Sequence, residues 1–381
     1  MKKGSILGIS MALMAILLLT ARPKPVEAGM GVTGSDYKVL APISHGDLTI
    51  FPIVASKVHD ASDFLTLDEG IRSGDVVVTE VGNIHPMIRR RTTVIPPQGS
   101  GGVVNRLVLV NNSKHPLILL AGEVVTGGKQ DRVVGKDRIV PAESDPIDLS
   151  VFCVEHGRWV ESSAKFDTHA YVMAQPSVRK QAMVANNQQK VWDEVASSKA
   201  AMAANSRAKL SSGASSTVAV ESSPPMAELR KLDSTTSYAK TRENKVIQQQ
   251  VDDIVQPMQK SYESVIKQLR EQNAVGVVVA VKGHIIWADM FASTGLLSKY
   301  WPKLLQSYAA EALSMPGERI EITSKSAQQF LDNWQTTHEV IESEPGLYRQ
   351  TEMTGDRFKA FELTSLLPKQ NFDVHLSKIV N

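Results

Sequence analysis

The hydrophobic pattern of this chain changes period partway along, and this change constrains the fold more than any other feature. From Asp47 to about Val160, short β-branched runs such as 48–54, 75–80 and 147–154 predict strands. After residue 237, apolar residues recur every three or four positions from Ile247 to Leu269, which predicts a helix that Pro257 should kink or split. The sequence therefore predicts an α+β fold, with a mainly antiparallel β N-terminal half and a helix-plus-sheet C-terminal half.

Two hairpins and two further helices complete this interpretation. One hairpin is predicted for 105–110 and 115–120, because the intervening Asn111-Asn112-Ser113-Lys114 is typical of a turn. The other joins 275–282 to 284–289 through Gly283, and helices are expected over 298–314 and 324–334.

A segment rich in small residues separates the two halves. Residues 196–225 contain nine Ser and eight Ala among 30 positions, and few side chains there are large enough to build a core. We therefore expect one disordered Ser/Ala-rich insertion, a flexible linker over 196–236. The linker would divide a β-rich half, 38–195, from an α+β half of the same domain, 237–381.

The first 28 residues have the pattern of an export signal. Lys2 and Lys3 precede an apolar run of about 16 residues, and Val26-Glu27-Ala28 suits a signal peptidase. An uncleaved anchor is the alternative, but a membrane span needs about 20 residues. The chain is thus expected to be exported, periplasmic or extracellular, after cleavage near Ala28, with no stable membrane span.

Charge and cysteine content exclude several classes of protein. The chain has 42 basic and 40 acidic residues, and cleavage would remove four bases and one acid, leaving 38 and 39. This balance excludes a strongly basic nucleic-acid binder. The single Cys153 excludes an intramolecular disulfide and an all-cysteine metal site; it is either a buried core residue or a functional thiol.

No familiar catalytic or cofactor motif is present. The sequence lacks GxxxxGK[ST], HExxH and GxSxG, and its nine histidines form no HxH or i,i+4 pair. We therefore expect no metal site and no cofactor.

Polar residues are concentrated where the predicted strands of the first half end. Glu123 follows an apolar run and a glycine, so it should be partly buried beside a cation, with Arg132 or Arg158 as partner. A structural ion pair is one interpretation. The other is a cleft for an anionic or polyhydroxylated small ligand, lined by Lys129, Gln130, Arg132, Arg158 and Trp159. Thr126-Gly127-Gly128 would let backbone approach that ligand.

If the cleft is catalytic, Glu123 and Glu155 are the candidate acid and base, and His156 could transfer protons near neutral pH. Arg89-Arg90-Arg91 is either a solvated face or a phosphate-binding patch.

Several of these segments together resemble a known family, the ARG and rhodanese-phosphatase-superfamily-associated protein domain. The resembling segments are 119–123, Gly128-Lys129-Gln130-Asp131-Arg132, 139–142, Cys153-Val154-Glu155-His156-Gly157-Arg158-Trp159, 276–280 and 301–305. The chain departs from the family pattern at His156, where Gln is expected, and in the long Ser/Ala-rich insertion. The family name reflects association with ADP-ribosylglycohydrolases, so the resemblance implies a link to ADP-ribose or nucleotide-sugar chemistry.

Three functions remain open at this point. The first is an exported protein that binds an anionic or polyhydroxylated small ligand, ADP-ribose-like or nucleotide-sugar-like by resemblance. The second is a hydrolase of glycosidic or phosphoester bonds that uses paired Glu residues with Arg. The third is a structural or interaction protein of the cell envelope. The sequence identifies no protein partner.

Overall fold

The computed structural model describes residues 36–83, 106–158, 160–168, 172–212, 221–268 and 272–381. The predicted signal peptide 1–28, the arginine run 89–91 and Trp159 lie outside the described residues.

Seventeen strands form the described β structure. Their bounds are Tyr37–Val39 (β1), Ile43–His45 (β2), Leu48–Ala55 (β3), Leu65–Thr66 (β4), Val76–Thr79 (β5), Arg106–Asn111 (β6), Leu117–Leu119 (β7), Val124–Val125 (β8), Arg132–Val134 (β9), Arg138–Val140 (β10), Ile147–Cys153 (β11), Ala274–Val281 (β12), His284–Phe291 (β13), Thr336–Glu344 (β14), Tyr348–Gly355 (β15), Phe358–Ser365 (β16) and Asp373–Val380 (β17).

Helices lie between these strands, mostly in the second half. The described α-helices are Leu67–Ser73 (α1), Pro176–Lys180 (α2), Gln188–Ser212 (α3), Pro224–Arg230 (α4), Tyr238–Glu243 (α5), Lys245–Gln268 (α6), Thr294–Ser314 (α7) and Ser324–Asp332 (α8). The predicted α+β class is confirmed. Pro257 lies inside α6 and does not split it.

A nine-stranded antiparallel sheet combines both halves of the chain. Its order is β1-β3-β12-β13-β17-β16-β15-β14, with β2 also paired to β3. The predicted β12–β13 hairpin is confirmed, and its turn residues Lys282 and Gly283 both have positive φ, which suits a two-residue hairpin turn. One face of this sheet packs on α6 and α7, and the other packs on α8.

The other predicted hairpin, between 105–110 and 115–120, is wrong. β6 pairs with β5 and β11, whereas β7 pairs with β10 and, in parallel, with β4. The side chain of Asn111 explains the change of direction, because its amide nitrogen donates to the carbonyls of His115 and Pro141 at 2.8 and 3.0 Å. Its oxygen accepts from the Ser113 amide, so the turn sends the chain into a different sheet.

The Ser/Ala-rich segment is not a flexible linker where it is described. Residues 188–212 form the continuous helix α3, and helices also occupy most of 221–236. Alanine is the best helix former, and the small side chains let α3 approach its neighbours closely. Met202 and Ala203 are buried in the core, and the buried Ser206 donates to Gln250 of α6 at 2.9 Å.

A fully buried polar network joins the two halves. Arg179 of α2 forms a two-pronged ion pair with Asp289 of β13, at 3.0 and 3.3 Å. The ring of His375 bridges Asp289 and Asp137, at 3.2 and 2.6 Å, and Tyr308 donates to Asp289. The exposed fraction of Arg179, Asp289 and Tyr308 is 0%, so this network lies where no water can replace a lost partner.

This network predicts a loss of stability in alkaline solution. Burial by itself lowers the pKa of His375, but Asp137 and Asp289 outweigh it and raise that pKa from 6.5 to about 9. The raised pKa means that folding favours the charged imidazole, so its contribution is complete below pH 6.5 and disappears as pH rises through 9. Denaturant titrations at several pH values should show that the free energy of unfolding falls as pH rises through 9. His375→Gln should remove the part of this pH dependence that His375 causes.

Candidate functional site

An open cleft of about 980 Å³ lies among helix α1, helix α5 and the segments that follow strands β8 and β11. Its walls carry acidic, basic and hydroxyl side chains together, and they are Asp68, Ile71, Arg72, Thr126, Gly127, Asp131, Glu155, Arg158, Ser162, Ser163, Lys165, Phe166, Asp167, Thr168, Ala239, Lys240 and Glu243. Four of the residues predicted from sequence are among them: the side chains of Glu155 and Arg158, and Thr126 and Gly127 of the segment expected to approach a ligand. The volume suits a drug-sized or nucleotide-sized molecule.

Arg158 organises one wall of the cleft. Its Nε donates to Glu155 at 2.6 Å, and its Nη2 donates to Asp131 at 3.2 Å. Its Nη1 donates to the carbonyls of Gly128 and Val160, at 3.0 and 2.9 Å. The guanidinium is thus engaged mainly with the protein itself, and it holds two carboxylates in fixed positions at the cleft.

Asp131 is a site residue that sequence reasoning missed, although it lies within one of the segments that resemble the family. Gly127 N and Ser237 Oγ donate to its two oxygens, at 3.1 and 3.3 Å. Burial and the neighbouring charge of Glu155 raise the pKa of Asp131 above its usual value. Its position one residue before Arg132, with no apolar run beside it, gave no signal that it faces a cavity.

The glycine pair beside Asp131 serves packing. Gly127 and Gly128 both have positive φ, and a Cβ on Gly128 would lie 2.3 Å from the ring of Phe166. A Cβ on Gly127 would lie 2.6 Å from Ser163 Oγ. Because the glycines have no Cβ, the segment 163–166 can pack directly against them. The Gly127 backbone also forms part of the cleft wall.

Glu123 does not face the cleft. Its carboxylate pairs with Lys303 of α7 and accepts from the Leu120 amide at 2.7 Å, so the expected partners Arg132 and Arg158 were wrong. Lys303 also donates to Asp68 at 2.7 Å. Burial lowers the pKa of Lys303 and the two carboxylates raise it, and the balance leaves that pKa above its usual value. Glu123 is therefore half of a buried ion pair, which was the structural interpretation of this residue.

The other residues predicted to line the cleft, in the segment 129–132, do not line it. Arg132 is fully buried, with its Nη1 on the carbonyl of Gln130 at 2.6 Å and its Nη2 3.8 Å from Glu80. Gln130 is buried too, and the amide of Lys129 donates to Glu80 at 3.3 Å. None of Lys129, Gln130 and Arg132 lines the described cleft.

Cys153 and His156 also lie away from the cleft. Cys153 is buried, and burial raises the pKa of its thiol to about 11, so the thiol stays protonated at neutral pH. This agrees with a core residue. His156 is exposed, and its ring meets Trp192 edge-on at 4.5 Å.

Within the described ranges, no three His, Cys, Asp or Glu side chains are grouped closely enough to hold a metal ion. No helix of the described part of the chain is both long and apolar enough to cross a membrane.

Comparison with known proteins assigns the chain to one family. Neither the curated proteins nor the solved structures contain a match to the chain. One family model matches residues 36–379, that of the ARG and Rhodanese-Phosphatase-superfamily-associated Protein domain. This range includes both halves of the nine-stranded sheet and all residues of the cleft wall, so the chain belongs to that domain family.

Proposed function

We propose that the cleft binds a small polyhydroxylated molecule that also carries an anionic group. The observation that supports this most directly is the pair of carboxylates, Asp131 and Glu155, held by Arg158 at the wall of a cavity of about 980 Å³. Carboxylates accept hydrogen bonds from sugar hydroxyls. Because Arg158 already holds these carboxylates in place, they lose little conformational entropy when a ligand binds.

Lysines of the cleft wall would bind the anionic group of such a ligand. Lys240 of α5 and Lys165 line the cleft, and Lys240 is exposed to solvent. Ser162, Ser163 and Thr168 add hydroxyl groups between them. A ligand with ribose hydroxyls and a pyrophosphate would use both kinds of group, which agrees with the ADP-ribose or nucleotide-sugar chemistry implied by the family resemblance.

A thermal-shift series with the purified protein tests this proposal. ADP-ribose, a nucleotide sugar and a neutral oligosaccharide serve as probes, and a ligand at 100 times its Kd should stabilise by about 2.7 kcal/mol. This corresponds to a rise in Tm of a few degrees. If no probe raises the Tm, the binding proposal is rejected, and the third hypothesis, an envelope interaction protein, becomes the better one.

Lys240→Ala should weaken binding of the anionic probes by about ten- to 150-fold, because a hydrogen bond to a charged group contributes about 1.5–3 kcal/mol. Lys245→Ala is the matched control, since Lys245 is also exposed but does not line the cleft. Isothermal titration of both variants measures the difference. Equal affinities in the two variants would show that the anion is not held at α5.

A second candidate is hydrolysis of a glycosidic or phosphoester bond, with Asp131 in the place that sequence analysis gave to Glu123. The observation in its favour is that two carboxyl groups, Asp131 and Glu155, lie on the same Arg158 at the cleft wall, and that burial and Glu155 raise the pKa of Asp131. Asp131 would then be the acid and Glu155 the base.

Turnover of the same probes, followed by release of nucleotide or sugar, tests this candidate. Asp131→Asn and Glu155→Gln should each lower the rate at least about a hundredfold. Binding without turnover in the unaltered protein would leave the binding function and reject the hydrolase.

We also propose that the chain is exported. The support is the arrangement of Lys2, Lys3, the apolar run and Val26-Glu27-Ala28. Cell fractionation followed by N-terminal sequencing should find a mature chain that begins near Gly29 outside the cytoplasm. A cytoplasmic chain that begins at Met1 would reject this proposal.

A further inference from the structure

A second cavity of the described chain, of about 540 Å³, lies between the β14–β15 hairpin and strands β9, β10 and β11. It shares no lining residue with the cleft described above. Sites for small molecules usually have about 300–1,000 Å³. The cavity is therefore large enough for a separate small molecule.

Gln350 of β15 has a buried side chain that faces this cavity. It is 8% exposed, and its amide forms no hydrogen bond with the rest of the described chain. An amide carries two N–H donors and an acceptor oxygen, and a buried polar group of this kind almost always has a partner. The partner of Gln350 is therefore a molecule in the cavity, either a ligand or water.

Charged groups from two sheets meet at Tyr348 in the same cavity. Alternate residues of a strand share a face, so Tyr348 points to the same side of β15 as Gln350. Glu344 lies directly opposite Tyr348 in the β14–β15 pair and shares that face, and Arg138 at the start of β10 lines the cavity from the other sheet. Both charges act on the phenol: burial raises the pKa of Tyr348, Arg138 opposes that rise and Glu344 adds to it.

Arg138 and Glu344 are the charges of this cavity that the described chain leaves without an ion pair. Nη1 of Arg138 donates to the backbone carbonyl of Asp148 at 2.7 Å, which leaves the guanidinium without an acidic partner. The cavity therefore offers one positive and one negative group to a ligand. Its other charged side chains are paired within the chain, as Arg106–Asp148, Lys136–Glu342 and Asp137–His375.

We propose that the cavity binds a free α-amino acid, with its carboxylate on Arg138, its ammonium group on Glu344 and the Gln350 amide as a further hydrogen-bond partner. A guanidinium matches the planar carboxylate, and a carboxylate accepts from an ammonium group. A simple anion would be repelled by Glu344 and a simple cation by Arg138, so a zwitterion fits this pair of charges best. The proposal is independent of the cleft and of the function proposed for it.

Titration calorimetry with the protein amino acids, added one at a time, tests the proposal on the purified chain. At least one of them should bind. Its carboxamide derivative, which lacks the anionic group, should bind at least about tenfold more weakly, because a hydrogen bond between charged groups is lost. Its N-acetyl derivative, which lacks the ammonium group, should bind about two- to fivefold more weakly, since Glu344 is exposed.

Arg138→Met tests the position of the ligand carboxylate. It should lower the affinity for the free amino acid at least about tenfold and remove the preference for it over the carboxamide derivative. Arg319→Met is the matched control, because Arg319 is exposed and lies outside the cavity, so this variant should keep both the affinity and the preference. Thermal melts check that both variants are folded.

Gln350→Leu distinguishes a ligand from water. Its free energy of unfolding should not fall, because the Gln350 amide has no partner in the described chain to lose, whereas its affinity for the amino acid should fall at least about tenfold. The proposal is overturned if no amino acid binds, if both derivatives bind as tightly as the free amino acid, or if Gln350→Leu keeps full affinity. In the first case Gln350 holds only water.

Discussion

Lys303→Met should lower the free energy of unfolding by about 3–5 kcal/mol, because it leaves two buried carboxylates without their cation. Glu123 and Asp68 both bond to Lys303, whose side chain is 2% exposed. Denaturant titration measures the loss. Lys299→Met is the matched control on the same helix, since its pair with Glu69 is about one-third exposed and should be worth at most about 1 kcal/mol.

A second variant tests whether Glu123 serves only this ion pair or also takes part in ligand binding or turnover at the cleft. Glu123→Gln in the Lys303→Met background should restore part of the stability, because it removes one of the unpaired charges. The same Glu123→Gln change alone should leave the response to cleft ligands unchanged. A large loss of ligand binding or turnover with normal stability would instead return Glu123 to the functional site.

Arg179→Leu should cost a similar amount, about 3–5 kcal/mol, for a related reason. Asp289 would keep bonds from Tyr308 and His375 but would lose the fixed positive charge that lowers its pKa. The change also leaves a space beside Gly122, where a Cβ would lie 2.5 Å from the Arg179 side chain. Urea titration should show a midpoint at a lower urea concentration, with an unchanged dependence of the free energy of unfolding on urea concentration.

Arg207→Leu is the control for that experiment. Its pair with Asp233 is 38% and 64% exposed, so the expected loss is at most about 1 kcal/mol. If the two arginine variants lose equal stability, the buried network does not hold the two halves together in the way described.

Local sequence signals predicted the elements whose causes are local. The β12–β13 hairpin follows from Lys282-Gly283, and helix α6 follows from its apolar stripe beginning at Ile247. The failed hairpin had a plausible turn, but the decisive bonds of Asn111 include Pro141, thirty positions away. The linker prediction for the Ser/Ala-rich segment was wrong for a different reason. It gave the small number of large side chains more weight than the high helix propensity of alanine, which prevails in α3.

The candidate site was harder to predict because its contacts are distant in sequence. Glu155 and Arg158 are three residues apart and were identified together. The partner of Glu123 is 180 positions away, and Asp131 meets Ser237 across 106 positions. An arginine near an acidic residue in sequence therefore does not identify the partner of that acid, because a cation from a distant helix can take its place.

The position of β12 in the sheet has a consequence for how the chain folds. β12 lies between β3 and β13, and its register joins Val54 to Ala274 and Leu48 to Val281. Contacts over so many residues close slowly, because a long loop must be ordered before they are gained. During synthesis, β3 therefore waits for its central neighbour until most of the polypeptide has been made, so the N-terminal strands cannot complete their sheet ahead of the rest.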